Sequence, residues 1–259
     1  MATKKSHTLS KKKSAQGTRR ASAVRAGLRR PLALANRPAR KFDQQRRELA
    51  RKVVETLRRL YPEAKCSLNY RTPLELLVAT ILSAQCTDER VNQVTPALFA
   101  RFRTAADYAN ADPKELENYI RSTGFYRAKT RNIMACCRAL VEKHAGELPR
   151  TLEALTQLPG VGRKTANVVL GTVWGIPGIV VDTHVKRLAR RMGLTRHTDP
   201  DKIERDLMEL IPQEEWVAFG HRMIYHGRQV CLARNPKCDQ CPLNSFCPKV
   251  GVKRKKSRA

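Results

Sequence analysis

The stretch that decides the fold is Leu158-Pro159-Gly160-Val161-Gly162-Arg163-Lys164. Apolar residues at helical spacing begin near Thr151 and resume as far as Val173, so the sequence predicts a tight turn between two helices. We expect the two glycines to adopt positive φ and to let the backbone approach a ligand closely. The turn would also expose the first amides of the second helix, which can bind a phosphate oxygen. This helix-hairpin-helix pattern favours contact with the DNA backbone, and an ordinary helix–helix turn is the alternative.

The charge of the chain indicates a partner of the same kind. Its 259 residues include 51 Lys plus Arg against 23 Asp plus Glu, which gives a net charge of +28. Residues 1–41 hold 13 of the basic residues and no acid, and residues 253–259 hold five more. The remaining residues keep 33 basic against 23 acidic groups. Such an excess favours a polyanion such as nucleic acid, although a merely soluble basic surface is the alternative.

Both ends of the chain are predicted to be basic extensions. Residues 1–41 are rich in Lys, Arg, Ser and Ala without apolar periodicity, so we expect a disordered arm that tethers DNA. A second basic tail covers residues 251–259. The arm lacks the apolar run of a secretory signal. We expect a bacterial cytoplasmic protein associated with the nucleoid, with targeting by the arm to an organelle or nucleus as the alternative.

The part of the chain between these extensions is predicted to be helical throughout. Apolar residues in Leu74–Leu82 fall at positions i, i+3, i+4, i+7 and i+8, which is one face of a helix. An aspartate followed by proline, at Asp112 and again at Asp199, predicts two helix starts. Only Gly178–Val181 resembles a strand, and it is too short to seed a sheet. The sequence therefore predicts an all-α fold of about ten helices. No apolar stretch is long enough for a membrane span.

Two polar residues are candidates for chemistry. Lys164 begins the second hairpin helix, where the helix dipole and partial burial would disfavour its ammonium form. A neutral amine can form a Schiff base with a carbonyl-level carbon such as deoxyribose C1′, whereas a phosphate-binding lysine is the alternative. Asp182 follows an apolar segment and is expected to cap the next helix with one oxygen and use the other in catalysis. His184 is expected to support this site rather than to catalyse.

Four cysteines near the end of the chain predict a metal site. Their spacing is C-x6-C-x2-C-x5-C, at Cys231, Cys238, Cys241 and Cys247. A disulfide framework is disfavoured because no secretory signal accompanies it. Thiolates hold structural zinc or an iron–sulfur cluster, and the spacing alone leaves both open. The other four cysteines are expected to be small core residues: Cys66, Cys86, Cys136 and Cys137.

Together these motifs resemble those of a known family. Three motifs are similar in order and spacing to those of the endonuclease III family. They are Leu158–Asn167, then Val181-Asp182-Thr183-His184, then the four-cysteine loop. Members are helix-hairpin-helix DNA glycosylases with AP lyase activity, and the resemblance covers roughly residues 43–250. It implies that Lys164 is the Schiff-base nucleophile and Asp182 the catalytic carboxylate. It also implies that the four cysteines ligate a [4Fe-4S] cluster.

The same resemblance implies how DNA is held. Gln85 matches the residue that fills the gap left by a flipped base, and Phe125 lies where relatives often carry a leucine wedge. The residues expected to contact DNA are Gln85, Phe125, Gly160, Gly162, Arg163 and His184. One helical domain, residues 65–177, would carry the hairpin, and residues 42–64 plus 178–250 would form a cluster domain. Lys164 and Asp182 would then face each other across a DNA-binding cleft.

The implied activity is base excision repair. The chain would act as a monomer on double-stranded DNA, remove oxidised pyrimidines and cleave 3′ to the abasic site by β-elimination. One rival is an adenine-mismatch glycosylase of the same superfamily, which uses a glutamate before the wedge glutamine and lacks the hairpin lysine. Residues Leu76–Cys86 contain no carboxylate. A second rival is a non-catalytic DNA-binding redox module, against which Lys164 and Asp182 both argue.

Overall fold

All regular secondary structure in the described part of the chain is helical. The computed structural model describes residues 37–252, with side chains from residue 43, so the predicted arm and tail lie almost entirely outside it. This range contains eleven α-helices, three short 3-10 helices and no strand, which confirms the predicted all-α class. The helices are α1 Arg37–Leu60, α2 Pro73–Leu82, α3 Asp88–Arg101, α4 Ala105–Ala109, α5 Pro113–Ile120, α6 Tyr126–His144, α7 Leu152–Thr156, α8 Arg163–Trp174, α9 Thr183–Arg191, α10 Pro200–Leu210 and α11 Trp216–Gln229. None of them is both long and apolar enough to cross a membrane.

The helix starts follow local signals in the sequence. Asp112 caps α5 and accepts a hydrogen bond from the Lys114 amide at 3.2 Å, and Asp199 caps α10 by accepting from the Lys202 amide at 3.0 Å. Thr151 caps α7 in the same way. These side chains satisfy backbone amides that have no partner within their helix. Local chemistry therefore determines where each of these helices begins.

The buried apolar side chains form two separate clusters. One cluster is built from α2 to α8 and the residues between them, and we call this part the hairpin lobe. The other combines α1 with α9, α10, α11 and Leu243, and we call this part, together with the cysteine loop, the cluster lobe. The division supports two domains at residues 65–177 and at 42–64 plus 178–250, which stay a prediction. The chain passes between the lobes through the irregular segment 175–182.

Among the described residues, two ion pairs join the lobes. Arg163 at the start of α8 makes a bidentate ion pair with Glu204 of α10, with Nε and Nη2 donating to the carboxylate at 2.7 and 3.1 Å. Arg228 near the end of α11 donates to Asp88 of α3 at 2.7 Å. Because an ion pair across two separate cores restricts their relative motion, both links help to fix the space between the lobes.

Candidate active site

The hairpin turn joins α7 to α8 as predicted, but its two glycines differ in backbone conformation and in surroundings. Gly160 has φ of +75°, and a Cβ on it would lie 2.8 Å from the Cβ of Asn132 on α6. Gly162 has an ordinary extended backbone, with φ of −86° and ψ of 170°, so the prediction of positive φ at this position is wrong. A Cβ placed on Gly162 would have no heavy atom within 4 Å, apart from those of its chain neighbours. Gly160 is thus required by the fold, whereas Gly162 leaves room for an external partner.

The beginning of α8 is open to an anion. Gly162 is the N-cap, and no side chain caps the helix. The first amides of α8 therefore have no intramolecular acceptor, and they lie at the positive end of the helix dipole. Gly162 itself is exposed. This geometry suits a phosphate oxygen from outside the protein.

Lys164 is the second residue of α8 and lines a pocket between the two lobes. The side chain is exposed, so the expectation of partial burial is wrong. Among residues 43–252 nothing forms a hydrogen bond or an ion pair within 4.0 Å with its amine. The amine is therefore held only by its own stem at the mouth of the pocket, and an incoming electrophile can reach it.

Asp182 lines the same pocket from the cluster lobe. It is the N-cap of α9, and its Oδ1 accepts a hydrogen bond from the Val185 amide at 2.8 Å. No hydrogen bond within the described range engages Oδ2. The cap holds the half-buried carboxylate in one orientation, while the second oxygen remains available to a group in the pocket. The predicted combination of capping with a free carboxylate oxygen is present.

His184 packs beside this carboxylate rather than into open solvent. Its Nδ1 lies 3.2 Å from Nη2 of Arg187, and it abuts the backbone at Gly227 closely enough that a Cβ there would lie 2.8 Å away. Burial lowers the pKa of His184, an effect that the Asp182 carboxylate opposes. The ring is therefore favoured in its neutral form, as expected for a supporting group. Its contact with DNA stays a prediction.

Several other side chains form the pocket wall. Ser67 and Arg228 both hydrogen bond to the Asp88 carboxylate, so this rim is rigid and charged. The remaining polar lining residues are Lys65, Cys66, Thr80, Ser83, Asn167, Thr172, His221 and Tyr225. The prediction that all four remaining cysteines are core residues holds only for Cys136 and Cys137, because Cys66 and Cys86 are half-buried.

Gln85 and Phe125 are both exposed on the hairpin lobe. Both adopt left-handed backbone conformations that are uncommon for non-glycine residues, with φ of 53° and 49°. The Phe125 side chain is 66% exposed, which is unusual for an aromatic ring without a polar atom. Such exposure suits a side chain that is covered only when a partner binds.

Arg163, by contrast, has an intramolecular partner. Its Nε and Nη2 donate to the buried Glu204, which also accepts a hydrogen bond from Asn167 Nδ2 at 3.0 Å. These contacts hold the first turn of α8 against α10. The predicted contact between Arg163 and DNA therefore has three of the five guanidinium N–H groups left to make it, two on Nη1 and one on Nη2.

The four cysteines Cys231, Cys238, Cys241 and Cys247 line one pocket in the cluster lobe. Within the described range, no three His, Cys, Asp or Glu side chains converge closely enough to hold a single metal ion. Four thiols that line one pocket are the donor set that an iron–sulfur cluster requires. Asn244 also lines this pocket, and its side-chain oxygen is buried without a hydrogen-bond partner in the described range.

Two basic side chains that line the same pocket, Arg191 and His226, contact the thiols. Arg191 donates from Nη1 to the Cys231 sulfur at 3.5 Å and to the Leu232 carbonyl at 2.6 Å. The fully buried His226 has Nε2 3.5 Å from the Cys241 sulfur and Nδ1 3.1 Å from the hydroxyl of Tyr61. Hydrogen bonds of this kind orient thiolate ligands and stabilise their charge. The donor set therefore fits an iron–sulfur cluster.

Sequence reasoning missed two charged residues, Glu204 and Lys129, and it predicted Arg228 only as one of the basic residues, with Arg234, Lys237 and Lys249, that bring the cysteine loop close to phosphates. Glu204 and Lys129 are charged residues on buried helix faces, since Leu207 follows the first at i+3 and Ile133 follows the second at i+4. That spacing is a signal of a buried charge, although it does not identify the partner. Arg228 gave no local signal beyond its charge, because Asp88 is 140 residues away.

Comparison with known proteins identifies the class. The family model described as HhH-GPD superfamily base excision DNA repair protein matches residues 78–213, and the iron-sulfur binding domain of endonuclease III matches residues 231–247. The first match covers the hairpin, Lys164 and Asp182, and the second begins at Cys231 and ends at Cys247. The fold and the pocket are thus those of a helix-hairpin-helix base excision repair protein with an iron–sulfur cluster.

Individual relatives define the family further. Endonuclease III of Synechocystis sp. is 57% identical over 204 residues, which are 78% of this chain and 93% of the relative. A non-covalent endonuclease III–DNA complex superimposes with a TM-score of 0.76 at 48% identity, and covers 78% of this chain and 95% of that one. A trapped endonuclease III–DNA covalent intermediate superimposes with the same TM-score at 47% identity, and covers 78% and 96%. The chain belongs to the endonuclease III family.

Proposed function

We propose that the chain removes oxidised pyrimidines from duplex DNA and then cleaves the strand 3′ to the abasic site. The observation that carries the proposal is that Lys164 and Asp182 line the same pocket. An amine with no partner in the described range lines the same pocket as a carboxylate that has one free oxygen. Nucleophile and proton acceptor are the two groups that glycosylase and lyase chemistry require.

The two residues would divide the chemistry as follows. Lys164 Nζ, after giving a proton to Asp182, attacks C1′ while the C1′–N bond breaks and the base leaves with a proton. Opening of the sugar ring gives an imine between Lys164 and C1′. The imine acidifies a C2′ proton, whose loss expels the 3′ phosphate by breaking the C3′–O bond. Water then hydrolyses the imine and restores the amine.

The hairpin lobe would supply the DNA contacts. The open amides of α8 and the empty space before Gly162 suit a backbone phosphate, which positions the duplex without reading its sequence. Gln85 and Phe125 would fill the space left by the extruded nucleotide. Flipping costs a few kcal/mol and costs least for a damaged base, which favours lesions over intact pyrimidines.

The cysteine pocket would hold a [4Fe-4S] cluster through Cys231, Cys238, Cys241 and Cys247. When bound, the cluster cross-links the loop that contains these residues, and it supplies no electron to the lyase chemistry. Arg234, Lys237 and Lys249 make the loop basic. The role of the cluster is therefore structural: it would shape the basic surface of this loop, which phosphates can approach. We place the protein as a monomer in the bacterial cytoplasm, at the nucleoid.

Borohydride trapping tests the proposed nucleophile. Duplex DNA with one thymine glycol or one abasic site should form a covalent adduct with the chain in the presence of borohydride. Lys164→Ala should abolish the adduct, whereas Lys65→Ala should keep it, since Lys65 is a second lysine that lines the pocket. Trapping that persists in Lys164→Ala and disappears in Lys65→Ala would overturn the assignment.

A lesion panel tests the substrate. Single-turnover excision is measured on duplexes that contain thymine glycol, 5-hydroxycytosine or adenine opposite 8-oxoguanine. The oxidised pyrimidines should be released, and the mismatched adenine should remain. Faster release of adenine would favour the adenine-mismatch branch instead, and the absence of nicking on abasic DNA would favour a non-catalytic module.

A further inference from the structure

Two loops of the hairpin lobe carry the exposed side chains that would enter DNA. The Gln85 loop comprises residues 83–86 and follows α2, and the Phe125 loop comprises residues 121–125 and precedes α6. Gln85 and Phe125 are each held at positive φ, a conformation that costs roughly 1 kcal/mol or more for such residues. Strained exposed residues keep one conformation only when their surroundings impose it.

Each loop has internal hydrogen bonds of its own. The Cys86 amide donates to the Ser83 carbonyl at 3.1 Å, and the Gly124 amide donates to the Arg121 carbonyl at 3.4 Å. These bonds fix the shape of each loop separately. They leave open how the position of one loop is related to that of the other.

One side chain joins the two loops. Lys129 lies in the first turn of α6 and is only 4% exposed. Its Nζ donates to the Leu82 carbonyl and to the Thr123 carbonyl, both at 2.8 Å. Leu82 is the last residue before the Gln85 loop, and Thr123 is two residues before Phe125. Within the described range, no hydrogen bond joins the Gln85 loop to the Phe125 loop directly, and no other side chain hydrogen bonds both to the end of α2 and to the Phe125 loop.

The chemistry of Lys129 suits this position. Leu82 ends α2 and Thr123 ends a 3-10 helix, so both carbonyls belong to helix ends that lack an intrahelical donor. An ammonium has three donors and no acceptor, and helix C-termini attract positive charge. No carboxylate in the described range pairs with it. Burial lowers the pKa of Lys129, which the nearby Cys86 opposes. Since a buried unpaired charge is costly, the two carbonyls are what retain it.

We propose that Lys129 is a positioning residue that fixes the separation between Gln85 and Phe125, so that both side chains enter the duplex together. The inference rests on the proposed function, because it assumes that these side chains fill the gap. A single extruded nucleotide leaves one space of fixed size. Two side chains can fill it at once only if their loops keep a constant separation.

The test compares Lys129→Met with wild type on two substrates. Methionine retains an unbranched stem and removes all three donors. Single-turnover excision of thymine glycol from duplex DNA should fall at least about tenfold, a factor that corresponds to about 1.4 kcal/mol in the barrier. Cleavage of an abasic site in single-stranded DNA needs no extrusion and should change less than threefold. Lys143→Met, an exposed lysine on the same helix, should leave both rates unchanged.

A double-mutant comparison separates positioning from general damage. In a Gln85→Ala, Phe125→Ala background, Lys129→Met should have almost no further effect on duplex excision, because the side chains through which it acts are gone. An undiminished effect in that background, or equal loss on both substrates, would overturn the proposal. If Lys129→Met does not fold, Lys129→Gln serves in the same comparison, since it retains one donor group. Failure of wild type to cleave an abasic site in duplex DNA would instead count against the proposed function.

Discussion

Replacing Glu204 should loosen the first turn of the helix that carries Lys164. The carboxylate of Glu204 is 5% exposed and accepts three hydrogen bonds, two from Arg163 and one from Asn167. A hydrogen bond to a charged group contributes about 1.5–3 kcal/mol, but Arg163 is 46% exposed and water compensates for part of its loss. The buried Asn167 amide would lose the only acceptor that it has among residues 43–252. We expect Glu204→Ala to lower the free energy of unfolding by about 2–3 kcal/mol.

Thermal unfolding of the cluster-loaded chain, followed by helical circular dichroism, measures the effect. For a domain of this size, the expected loss corresponds to about 5–10 °C in Tm. Glu209→Ala is the matched control because Glu209 is an exposed glutamate on the same helix, α10, and the charge change is the same. The rate of borohydride trapping should also fall in Glu204→Ala, because α8 would no longer be held against α10. Equal Tm values for the two variants would refute this account of the link between the lobes.

Three further results are expected. Gly160→Ala should lower the free energy of unfolding by about 2 kcal/mol, because residue 160 has a positive φ and a Cβ there would meet α6. Gly162→Ala should lower the free energy of unfolding by less than about 1 kcal/mol and should weaken DNA binding in a titration. Cys241→Ala should lose bound iron and the visible absorption of the cluster, and Cys136→Ala should retain both in the same metal analysis. Burial lowers the pKa of His221. The folded state therefore favours the neutral ring, and the stability that this ring contributes is present above about pH 6.5 and is lost as the pH falls. His221→Gln should reduce the acid sensitivity of Tm between pH 7.5 and 5.5.

The features predicted from sequence are those that depend on neighbours along the chain. The hairpin, the caps Asp112 and Asp199 and the cysteine loop each depend on residues within about 17 positions of one another. A cap needs only a short polar side chain before a helix, so its sequence signal is nearly complete. The two errors at the hairpin have a common cause. The φ of Gly162 and the exposure of Lys164 depend on what lies opposite them, which the hairpin sequence does not contain.

The features that sequence could not predict are contacts between distant segments. Glu204 is 41 residues from Arg163, and Leu82 is 47 residues from Lys129. The helical pattern indicates that Glu204 and Lys129 face the interior, because each lies at i, i+3 or i, i+4 from buried apolar residues. It does not distinguish an ion pair from a pair of carbonyl acceptors. That choice depends on how α2, α6, α8 and α10 pack, which follows from the whole core.

The contacts around Lys164 have one consequence for reactivity. The neighbouring cation Arg163 is directed towards Glu204, and Arg228 on the opposite rim is directed towards Asp88. Each guanidinium is thus neutralised by a carboxylate before DNA arrives. The pocket therefore combines fixed, compensated charges with one amine that has no partner in the described range. In the proposed chemistry Asp182, which lines the same pocket and has one oxygen without a hydrogen bond in the described range, is the carboxylate that takes the proton from Lys164 before the amine attacks.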